Sequence, residues 1–260
     1  MKKNKTALIT GASSGIGMEF AEVFARNGYD LVLVARDEDK LEAVSNALMD
    51  AYDIEAFMLA MDLTKSDATT AIIQALEKEQ VEIDVLVNNA GVGDVNDFAS
   101  SDIDKADTMI HLNIHALTML TRKILPGMVA RKHGKILNVA SVAAFFPGPF
   151  MSVYYATKAY VLSFSEALAE ELQGTGVQVS TLCPGATKSG FQKEAHFERT
   201  KLQNANFVSA KSVAEYGYKK FMQGKQIVIP GFSNKLLVFS RRFMPVSLQA
   251  KLVRKVQALR

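Results

Sequence analysis

The sequence predicts an α/β fold in which helices cover both faces of a doubly wound parallel sheet. Short apolar runs of strand length alternate with helix-length segments along most of the 260 residues. Such alternation is typical of βαβ units, whose crossovers are right-handed and whose strands are parallel. A glycine-rich turn, Gly11 to Gly17, follows the first run. The length suits a single large domain with a full core.

The predicted elements follow one another in regular order. Strands are expected at Ala7–Thr10, Leu31–Ala35, Glu55–Ala60, Val85–Asn88, Lys135–Ala140, Gln178–Leu182 and Gln226–Ile229. Helical patterns lie near residues 15–28, 37–52, 66–79, 102–132, 152–173 and 210–222. Gly28, Gly134 and Gly176 are expected to end three of these helices, since glycine is favoured after a helix C-terminus. This order predicts a Rossmann-like sheet within residues 1–230, with ligands outside the carboxyl ends of its strands.

Residues 231–260 are predicted to form a basic, helical C-terminal extension of the same domain. Apolar residues recur at helical spacing on both sides of Pro245, which predicts two amphipathic helices broken there. After Glu215 the chain has ten basic residues and no acidic one, so with +3 overall the preceding part carries −7. We favour a cover for the pocket or a subunit contact, because helices normally bury their apolar stripe. A helix on an anionic membrane surface, near a lipid-like substrate, is the alternative.

The composition favours a soluble, cytoplasmic protein. The single cysteine, Cys183, excludes an internal disulfide and fits a reducing compartment. It lies in an apolar run, which favours a buried thiol over a nucleophile. The N-terminus lacks the apolar stretch of a signal peptide, and no segment approaches the ~20 apolar residues of a membrane span.

Metal and nucleic acid are not expected as ligands. His111 and His115 are four residues apart on a predicted helix and could chelate zinc. No third ligand has suitable spacing, so we predict no metal site. No recognition motif for nucleic acid accompanies the basic C-terminal residues.

The turn after the first predicted strand has the composition of a phosphate-binding loop. It reads Thr10-Gly11-Ala12-Ser13-Ser14-Gly15-Ile16-Gly17. Glycines let a pyrophosphate approach the backbone, and the helix that starts near Gly15 offers unpaired N–H groups and a positive dipole end. The spacing differs from the commoner Gly-x-Gly-x-x-Gly pattern. A tight strand–helix connection without a ligand is the alternative interpretation.

Arg36 follows the second predicted strand, where Rossmann-like sites recognise the cofactor ribose. NAD sites usually carry an acidic residue there, and NADP sites carry a cation for the 2′-phosphate. The chain has Ala35 followed by Arg36, which argues for NADP(H). A surface arginine at the end of a strand is the alternative.

Tyr154 and Lys158 lie four residues apart on a predicted helix, so they share one face with Cβ atoms roughly 5–6 Å apart. A nearby positive charge favours the phenolate and lowers the tyrosine pKa from about 10. That makes the phenol usable as a general acid or base. By itself, such a pair more often lies on a solvated helix face and has no catalytic role. Tyr155 is three residues from Lys158 and shares the same face in principle.

Taken together, these motifs resemble the short-chain dehydrogenase/reductase family, in its compact, single-domain, NADP-preferring branch. The other segments that carry the resemblance are Asn88-Asn89-Ala90-Gly91, Ser141 thirteen residues before Tyr154, and Pro184-Gly185-Ala186-Thr187. The resemblance runs from about Thr6 to Thr187. It implies an NADP(H)-dependent enzyme that interconverts a carbonyl and a secondary alcohol. It also implies a homodimer or homotetramer, formed through the helices near 102–132 and 152–173.

The resemblance also assigns roles to individual residues. Tyr154 would be the acid/base, Lys158 would hold the nicotinamide ribose, and Ser141 would bind the substrate oxygen. Asn113 would hold a proton-relay water, and Asn88 would brace the sheet. The cofactor contacts implied are Gly11, Ser13, Ser14, Gly15, Ile16, Gly17, Arg36, Asp62 at the adenine, Asn89, Ala90, Gly91, Tyr154, Lys158 and Thr187 at the carboxamide. The family pattern and the Ser141 spacing select Tyr154, so Tyr155 is assigned to packing or a subunit contact.

Two segments bear on the substrate. The cluster of Phe145, Phe146, Pro147, Phe150 and Met151 could wall an apolar pocket or belong to the core. Residues 187–210 correspond to the family's mobile lid, which sets substrate choice. A catalytically silent dinucleotide sensor or scaffold of the same fold is the alternative function. Such a protein need not retain the serine, tyrosine and lysine together, whereas this chain has all three.

Overall fold

The computed structural model describes residues 4–197, 200 and 207–258, and in that part of the chain the main sheet has seven parallel strands. The strands along the chain are β1 Lys5–Thr10, β2 Tyr29–Ala35, β3 Ala56–Ala60, β4 Val85–Asn88, β5 Gly134–Val139, β6 Val177–Leu182, β7 Thr187–Lys188, β8 Val208–Ser209 and β9 Ile227–Val228. The main sheet has the order β3-β2-β1-β4-β5-β6-β9, and β7 pairs separately with β8. The predicted doubly wound sheet is therefore confirmed.

Helices cover both faces of this sheet. They are α1 Gly15–Arg26, α2 Glu38–Ala51, α3 Ala68–Lys78, α4 Ile103–Ile110, α5 Leu117–Ala130, α6 Ser152–Glu171, α7 Phe191–Glu194, α8 Ala210–Met222, α9 Phe232–Ser240 and α10 Val246–Gln257. One core joins the sheet to α1, α2 and α8, and the other joins it to α3, α5 and α6. Successive strand residues alternate between the two cores, since Ala7 and Ile9 belong to the first and Leu8 to the second.

A π-helical turn divides the long helix predicted for residues 102–132. α4 ends at Ile110, His111–Ala116 are π-helical, and α5 begins at Leu117. Asn113 lies within this turn and is 1% exposed. Such turns occur frequently at functional sites. Here the turn places a buried amide beside the end of β4.

The glycines expected after helices serve different purposes. Gly28 follows α1 in the left-handed region with φ of 74°, whereas Gly176, with φ of 82°, lies directly before β6 and five residues after α6 ends at Glu171. The prediction for Gly134 was wrong, because this residue begins β5 and the left-handed residue after α5 is Lys132. A Cβ on Gly134 would lie 2.5 Å from Cγ of Met128. The glycine is therefore required by close packing of strand and helix.

The last two helices are separated at Pro245, as predicted. Residues Arg241–Phe243 form a short 3-10 turn between α9 and α10, and Pro245 precedes α10. Within the described ranges, no helix combines the length and the apolarity needed to cross a membrane. The predicted lid, residues 187–210, contains β7, α7 and β8, but its residues 198, 199 and 201–206 lie outside the described part.

Candidate active site

A cavity of about 850 Å³ opens at the edge of the main sheet where β1 to β6 end. It is lined by Gly11 after β1, Arg36 after β2, Asn89 after β4, Ser141 after β5 and Pro184 after β6. The cavity includes the boundary between β1 and β4, where the strand order reverses. Ligands in doubly wound folds bind at this point. All the predicted site residues line the cavity except Gly17 and Asn113.

Hydrogen bonds join the ends of β1 and β4 across this boundary. The Thr10 hydroxyl accepts the backbone N–H groups of Asn89 and Ala90, both at 3.0 Å. The Asn89 side-chain amide donates to the Thr10 carbonyl oxygen at 2.9 Å. A Cβ on Gly17 would lie 2.1 Å from the Gly11 carbonyl oxygen. Gly17 therefore acts from outside the cavity, by letting α1 pack closely on the turn.

The start of α1 fits the phosphates of a dinucleotide. Its N-cap, Ser14, makes no side-chain capping bond in the described structure, and the first turn has no acidic residue. The N–H groups of that turn have no acceptor within the helix, so they suit an external anion. Gly11 has φ of 67°, and a Cβ there would lie 2.9 Å from the Asn89 amide nitrogen. The turn is thus a cradle that a side chain would fill.

Asp62 and Arg36 line the cavity at the ends of β3 and β2. The Asp62 carboxylate accepts the backbone N–H and the hydroxyl of Thr64, at 3.0 and 2.8 Å. Burial raises the pKa of Asp62, but the Thr64 hydrogen bonds and the nearby charge of Arg36 outweigh burial and leave it below its ordinary value. Arg36 itself is exposed, with its neighbour Asp37 paired to Lys40 at 2.5 Å.

Tyr154 and Ser141 meet at the wall of the cavity. Ser141 caps the short 3-10 turn Val142–Phe145, and its hydroxyl donates to the Pro184 carbonyl oxygen at 3.4 Å. Tyr154 projects from α6 and is 8% exposed. Burial raises the pKa of Tyr154 to about 12, and the hydrogen bond with Ser141 limits the rise. The phenol is therefore protonated at neutral pH.

Lys158 lies beneath Tyr154, one turn along α6. Its ammonium donates to the Val139 carbonyl oxygen at 2.8 Å and is 5.8 Å from the centre of the Tyr154 ring. Burial lowers the pKa of Lys158 to about 8. The expectation that Lys158 lowers the tyrosine pKa was wrong for this structure, because burial of the phenol dominates. The nearby Cys183 thiol is buried as predicted, and burial raises its pKa to about 12.

Asn113 holds the loop after β4 against α6. Its amide oxygen accepts the backbone N–H of Val92 at 3.0 Å, and its amide nitrogen donates to the Val92 carbonyl oxygen at 2.9 Å. The same nitrogen donates to the Thr157 hydroxyl at 3.0 Å. A Cβ on Gly91 would lie 3.0 Å from the Asn113 amide oxygen and 3.3 Å from the Lys158 nitrogen. These two polar groups therefore lie directly behind Gly91, and Lys158 also lines the cavity.

The other polar residues near the strand ends have structural partners. Asn88 donates to the Thr121 hydroxyl and the Asn138 amide oxygen, both at 2.9 Å, so it braces the sheet as expected. The Thr187 hydroxyl donates to the Gly185 carbonyl oxygen at 2.9 Å, beside the cavity. Both side chains are buried, which fixes the strand ends that carry the site.

The two adjacent tyrosines have different partners. The Tyr155 hydroxyl accepts the side-chain amide of Gln257 at 2.5 Å, and Gln257 belongs to α10. Tyr155 therefore packs against the C-terminal helix, whereas Tyr154 meets Ser141. The sequence interpretation did not identify Gln257, because 102 residues separate it from its partner and no motif joins them.

The aromatic segment after Ser141 divides between pocket and core. Phe146 and Met151 line the cavity. Phe145 packs in a core cluster with Leu117 and Leu162. Both alternatives for this segment thus hold, each for different residues.

Comparisons with known proteins agree with this geometry. A family model described as short chain dehydrogenase matches residues 5–199. The very-long-chain 3-oxoacyl-CoA reductase of Rattus norvegicus is 37% identical over 182 residues, which cover 68% of this chain and 58% of that protein. The chain thus spans about three fifths of the length of this relative.

Solved structures resemble the chain over nearly its whole length. A short-chain dehydrogenase from Sphingobium yanoikuyae in complex with NADPH has a TM-score of 0.83 and 34% identity, covering 92% of this chain and 94% of its own. A short-chain dehydrogenase/reductase from Burkholderia phymatum in complex with NAD has a TM-score of 0.85 and 26% identity, covering 95% and 96%. The two structures contain different nicotinamide cofactors.

Proposed function

Because the chain belongs to the short-chain dehydrogenase family, we propose that it is an NADP(H)-dependent oxidoreductase that interconverts a carbonyl and a secondary alcohol. The observation that carries this proposal is the pairing of Tyr154 with Ser141 at the cavity wall, with Lys158 beneath them. A protonated phenol, a hydroxyl and an ammonium at one wall can bind and protonate a carbonyl oxygen.

Tyr154 acts as the general acid in reduction. Its phenol is protonated at neutral pH, since burial raises its pKa to about 12. When bound, the reduced nicotinamide supplies the hydride that reaches the carbonyl carbon. Tyr154 gives its proton to the carbonyl oxygen, and the Ser141 hydroxyl holds that oxygen in place by hydrogen bonding. In the reverse reaction the same oxygen takes the proton back from the alcohol as a phenolate.

Lys158 and Asn113 position this pair and the cofactor. The bond from Lys158 to the Val139 carbonyl oxygen fixes the ammonium behind Gly91. From there Lys158 would hold the ribose next to the nicotinamide. Asn113 ties the Gly91–Val92 loop to α6 through Thr157, so it keeps the cofactor wall at a fixed distance from Tyr154.

The preference for NADP(H) rests on Arg36. This exposed arginine follows β2 at the edge of the cavity, where a 2′-phosphate would lie. The similar structures do not decide the matter, since one contains NADPH and the other NAD. We expect Arg36→Ala to weaken NADPH binding at least about tenfold while NADH binding changes little. Arg26→Ala, which alters an exposed ion pair with Glu215, is the matched control. Equal use of both cofactors by the wild-type enzyme would refute this assignment.

The substrate is a carbonyl carried on an apolar group. Met151 and Phe191 line the cavity and pack against Tyr154, Phe146 also lines it, and Leu237 and Leu252 line it from the C-terminal helices. The rat relative is named for very-long-chain 3-oxoacyl substrates, which also supports an apolar chain. A carbonyl panel that includes short and long 3-oxoacyl thioesters, simple ketones and polar sugars tests this substrate class.

The decisive experiment compares the two tyrosines. We expect Tyr154→Phe to lower kcat/KM for NADPH-dependent reduction about 10²–10⁴-fold, the usual contribution of a general acid, with NADPH binding retained. Tyr155→Phe is the control and should retain turnover, because its hydroxyl faces Gln257. If Tyr155→Phe is inactive and Tyr154→Phe is active, the assignment is wrong. NADPH binding without turnover of any carbonyl would favour a dinucleotide sensor.

A further inference from the structure

The outer surface of the two C-terminal helices is apolar. α9 has no buried side chain, and the buried side chains of α10 are two glutamines, Gln249 and Gln257. The most exposed apolar residues of this segment are Phe232 at 81%, Phe243 at 74% and Val246 at 67%. The other exposed apolar residues of this segment are Leu236, Leu237, Phe239, Leu248, Leu252 and Val256. This reverses the arrangement of a water-facing helix, and such a concentrated apolar surface marks an interaction site.

Cations border this surface. The charged residues between positions 232 and 257 are all basic: Lys235, Arg241, Arg242, Lys251, Arg254 and Lys255. On α10, residues at four-residue intervals lie in a row, so Leu248, Leu252 and Val256 form one apolar row. Lys251 and Lys255 lie beside it, three residues after Leu248 and Leu252.

This pattern favours an anionic lipid surface over a second copy of the chain. The centre of a protein interface is depleted in charged residues, especially lysine. A second copy would have to cover the exposed Lys251 and Lys255 together with the apolar row. At a bilayer surface the same side chains can extend to the anionic headgroups while the apolar row enters the acyl boundary. The charge complementarity therefore points to lipid.

The apolar surface is continuous with the cavity. Leu237, Leu252 and Val256 line the cavity and are also 47%, 46% and 51% exposed. Deeper in, Gln257 contacts Tyr155 and Met151. Apolar side chains thus extend from the outside of α9 and α10 into the cavity that Tyr154 and Tyr155 also line.

We propose that α9 and α10 dock on the surface of an anionic lipid bilayer, with the cavity opening toward it. An apolar, lipid-like carbonyl substrate then enters from the bilayer between these helices. The docking is independent of catalysis, whereas the delivery of substrate rests on the proposed reductase function. The two parts therefore have separate tests.

Docking is tested by co-sedimentation of the full chain with vesicles of phosphatidylcholine alone or mixed with phosphatidylserine. Each cation near an anionic surface strengthens binding about fivefold. Lys251→Gln/Lys255→Gln should therefore weaken binding to the mixed vesicles about 25-fold. Lys78→Gln/Lys211→Gln, which removes two exposed lysines elsewhere, should bind like the wild type. Added salt should weaken wild-type binding, as expected for surface charges.

An apolar pair of variants tests insertion. Phe243→Ser/Val246→Ser should weaken binding to the mixed vesicles at least tenfold, on the order expected for losing two apolar anchors. Phe98→Ser/Ile103→Ser removes two apolar side chains that are 67% and 80% exposed elsewhere, and it should have no effect. If the wild-type chain does not bind mixed vesicles, or both pairs lower binding equally, docking is refuted. If the Phe243→Ser/Val246→Ser change instead separates a dimer in vesicle-free solution, the occupant is a second copy.

Substrate delivery is tested with a long-chain ketone held in mixed vesicles and a short ketone dissolved in water. Lys251→Gln/Lys255→Gln should lower turnover of the vesicle-bound ketone about in proportion to binding, with turnover of the dissolved ketone unchanged. Equal turnover of the vesicle-bound ketone by both proteins refutes delivery. If the wild type binds vesicles and reduces no carbonyl, docking stands and the proposed function fails.

Discussion

The hydrogen bond between Tyr155 and Gln257 gives the sharpest test of how α10 packs on the domain. Gln257 is 1% exposed, and its amide nitrogen donates to the Tyr155 hydroxyl at 2.5 Å. Its amide oxygen is buried and has no hydrogen-bond partner among the described residues. In Tyr155→Phe the amide nitrogen would keep only the Met151 sulfur as an acceptor, at 3.5 Å. A thioether is a weak acceptor, so the whole buried amide would be close to unsatisfied.

The loss of stability in Tyr155→Phe follows from the burial of the Gln257 amide. Leaving a buried polar group unsatisfied costs about 1–3 kcal/mol, so the free energy of unfolding of Tyr155→Phe should fall by about that amount. In a domain of this size the melting temperature would fall by about 2–12 °C. Gln257→Leu should cost less, because it also removes the amide oxygen that has no partner. The double variant Tyr155→Phe/Gln257→Leu replaces both polar partners by apolar groups and should approach the wild type.

Urea unfolding of the four proteins, followed by circular dichroism, completes a double-mutant cycle. We expect a coupling energy of about 1–2 kcal/mol between the two positions. Tyr160→Phe is the control, because the Tyr160 hydroxyl bonds to Thr118 at an exposed site, and its loss should matter little. An unchanged free energy of unfolding in Tyr155→Phe would refute the packing of α10 described above. So would a double variant whose loss is the sum of the two single losses.

Three further outcomes are expected. Gly17→Ala places a Cβ 2.1 Å from a backbone oxygen of the glycine-rich turn, so NADPH binding measured by fluorescence should weaken at least about tenfold. The pKa of Lys158 falls from 10.5 to about 8 on folding, so the unfolded chain binds more protons between these values. The free energy of unfolding of the wild type should therefore rise by roughly 2 kcal/mol from pH 8 to pH 10, relative to Lys158→Met in urea titrations. Asn138→Leu breaks buried hydrogen bonds with Asn88 and Ser165, and the midpoint of thermal unfolding should drop, at a cost of about 1–3 kcal/mol.

The sheet and most residues that line the cavity were predictable, because they follow from short local patterns in the sequence. Each strand is a short apolar run, and the carboxyl ends of parallel strands meet at one edge. Gly11, Asn89 and Ser141 follow three different strands, so their meeting in one cavity was implied by the fold. The resemblance to the short-chain dehydrogenase/reductase family, in which thirteen residues separate Ser141 and Tyr154, then implied that the tyrosine of α6 lies beside that edge. No long-range contact had to be guessed.

Other features depend on contacts that no local pattern contains. The π-helical turn at His111–Ala116 widens one helical turn and hardly alters the apolar spacing of a segment 31 residues long. The sequence suggests that Gly134 ends a helix, but a glycine is needed there because a Cβ would clash with Met128. The pKa of Tyr154 depends on burial, whereas four-residue spacing indicates only that Lys158 is near.

The orientation of α10 is the clearest case, because periodicity locates an apolar stripe without saying where it faces. The sequence favoured burial of the stripe, yet the structure buries Gln249 and Gln257 and exposes Leu248 and Val256. α10, which covers the cavity, therefore has apolar side chains on its outer side and buries polar ones. Such an exposed apolar surface marks an interaction site, and its cations favour an anionic bilayer over a second copy of the chain. Under the proposed docking, a substrate dissolved in the bilayer would reach the cavity without crossing water, because the apolar row and the cavity share Leu252.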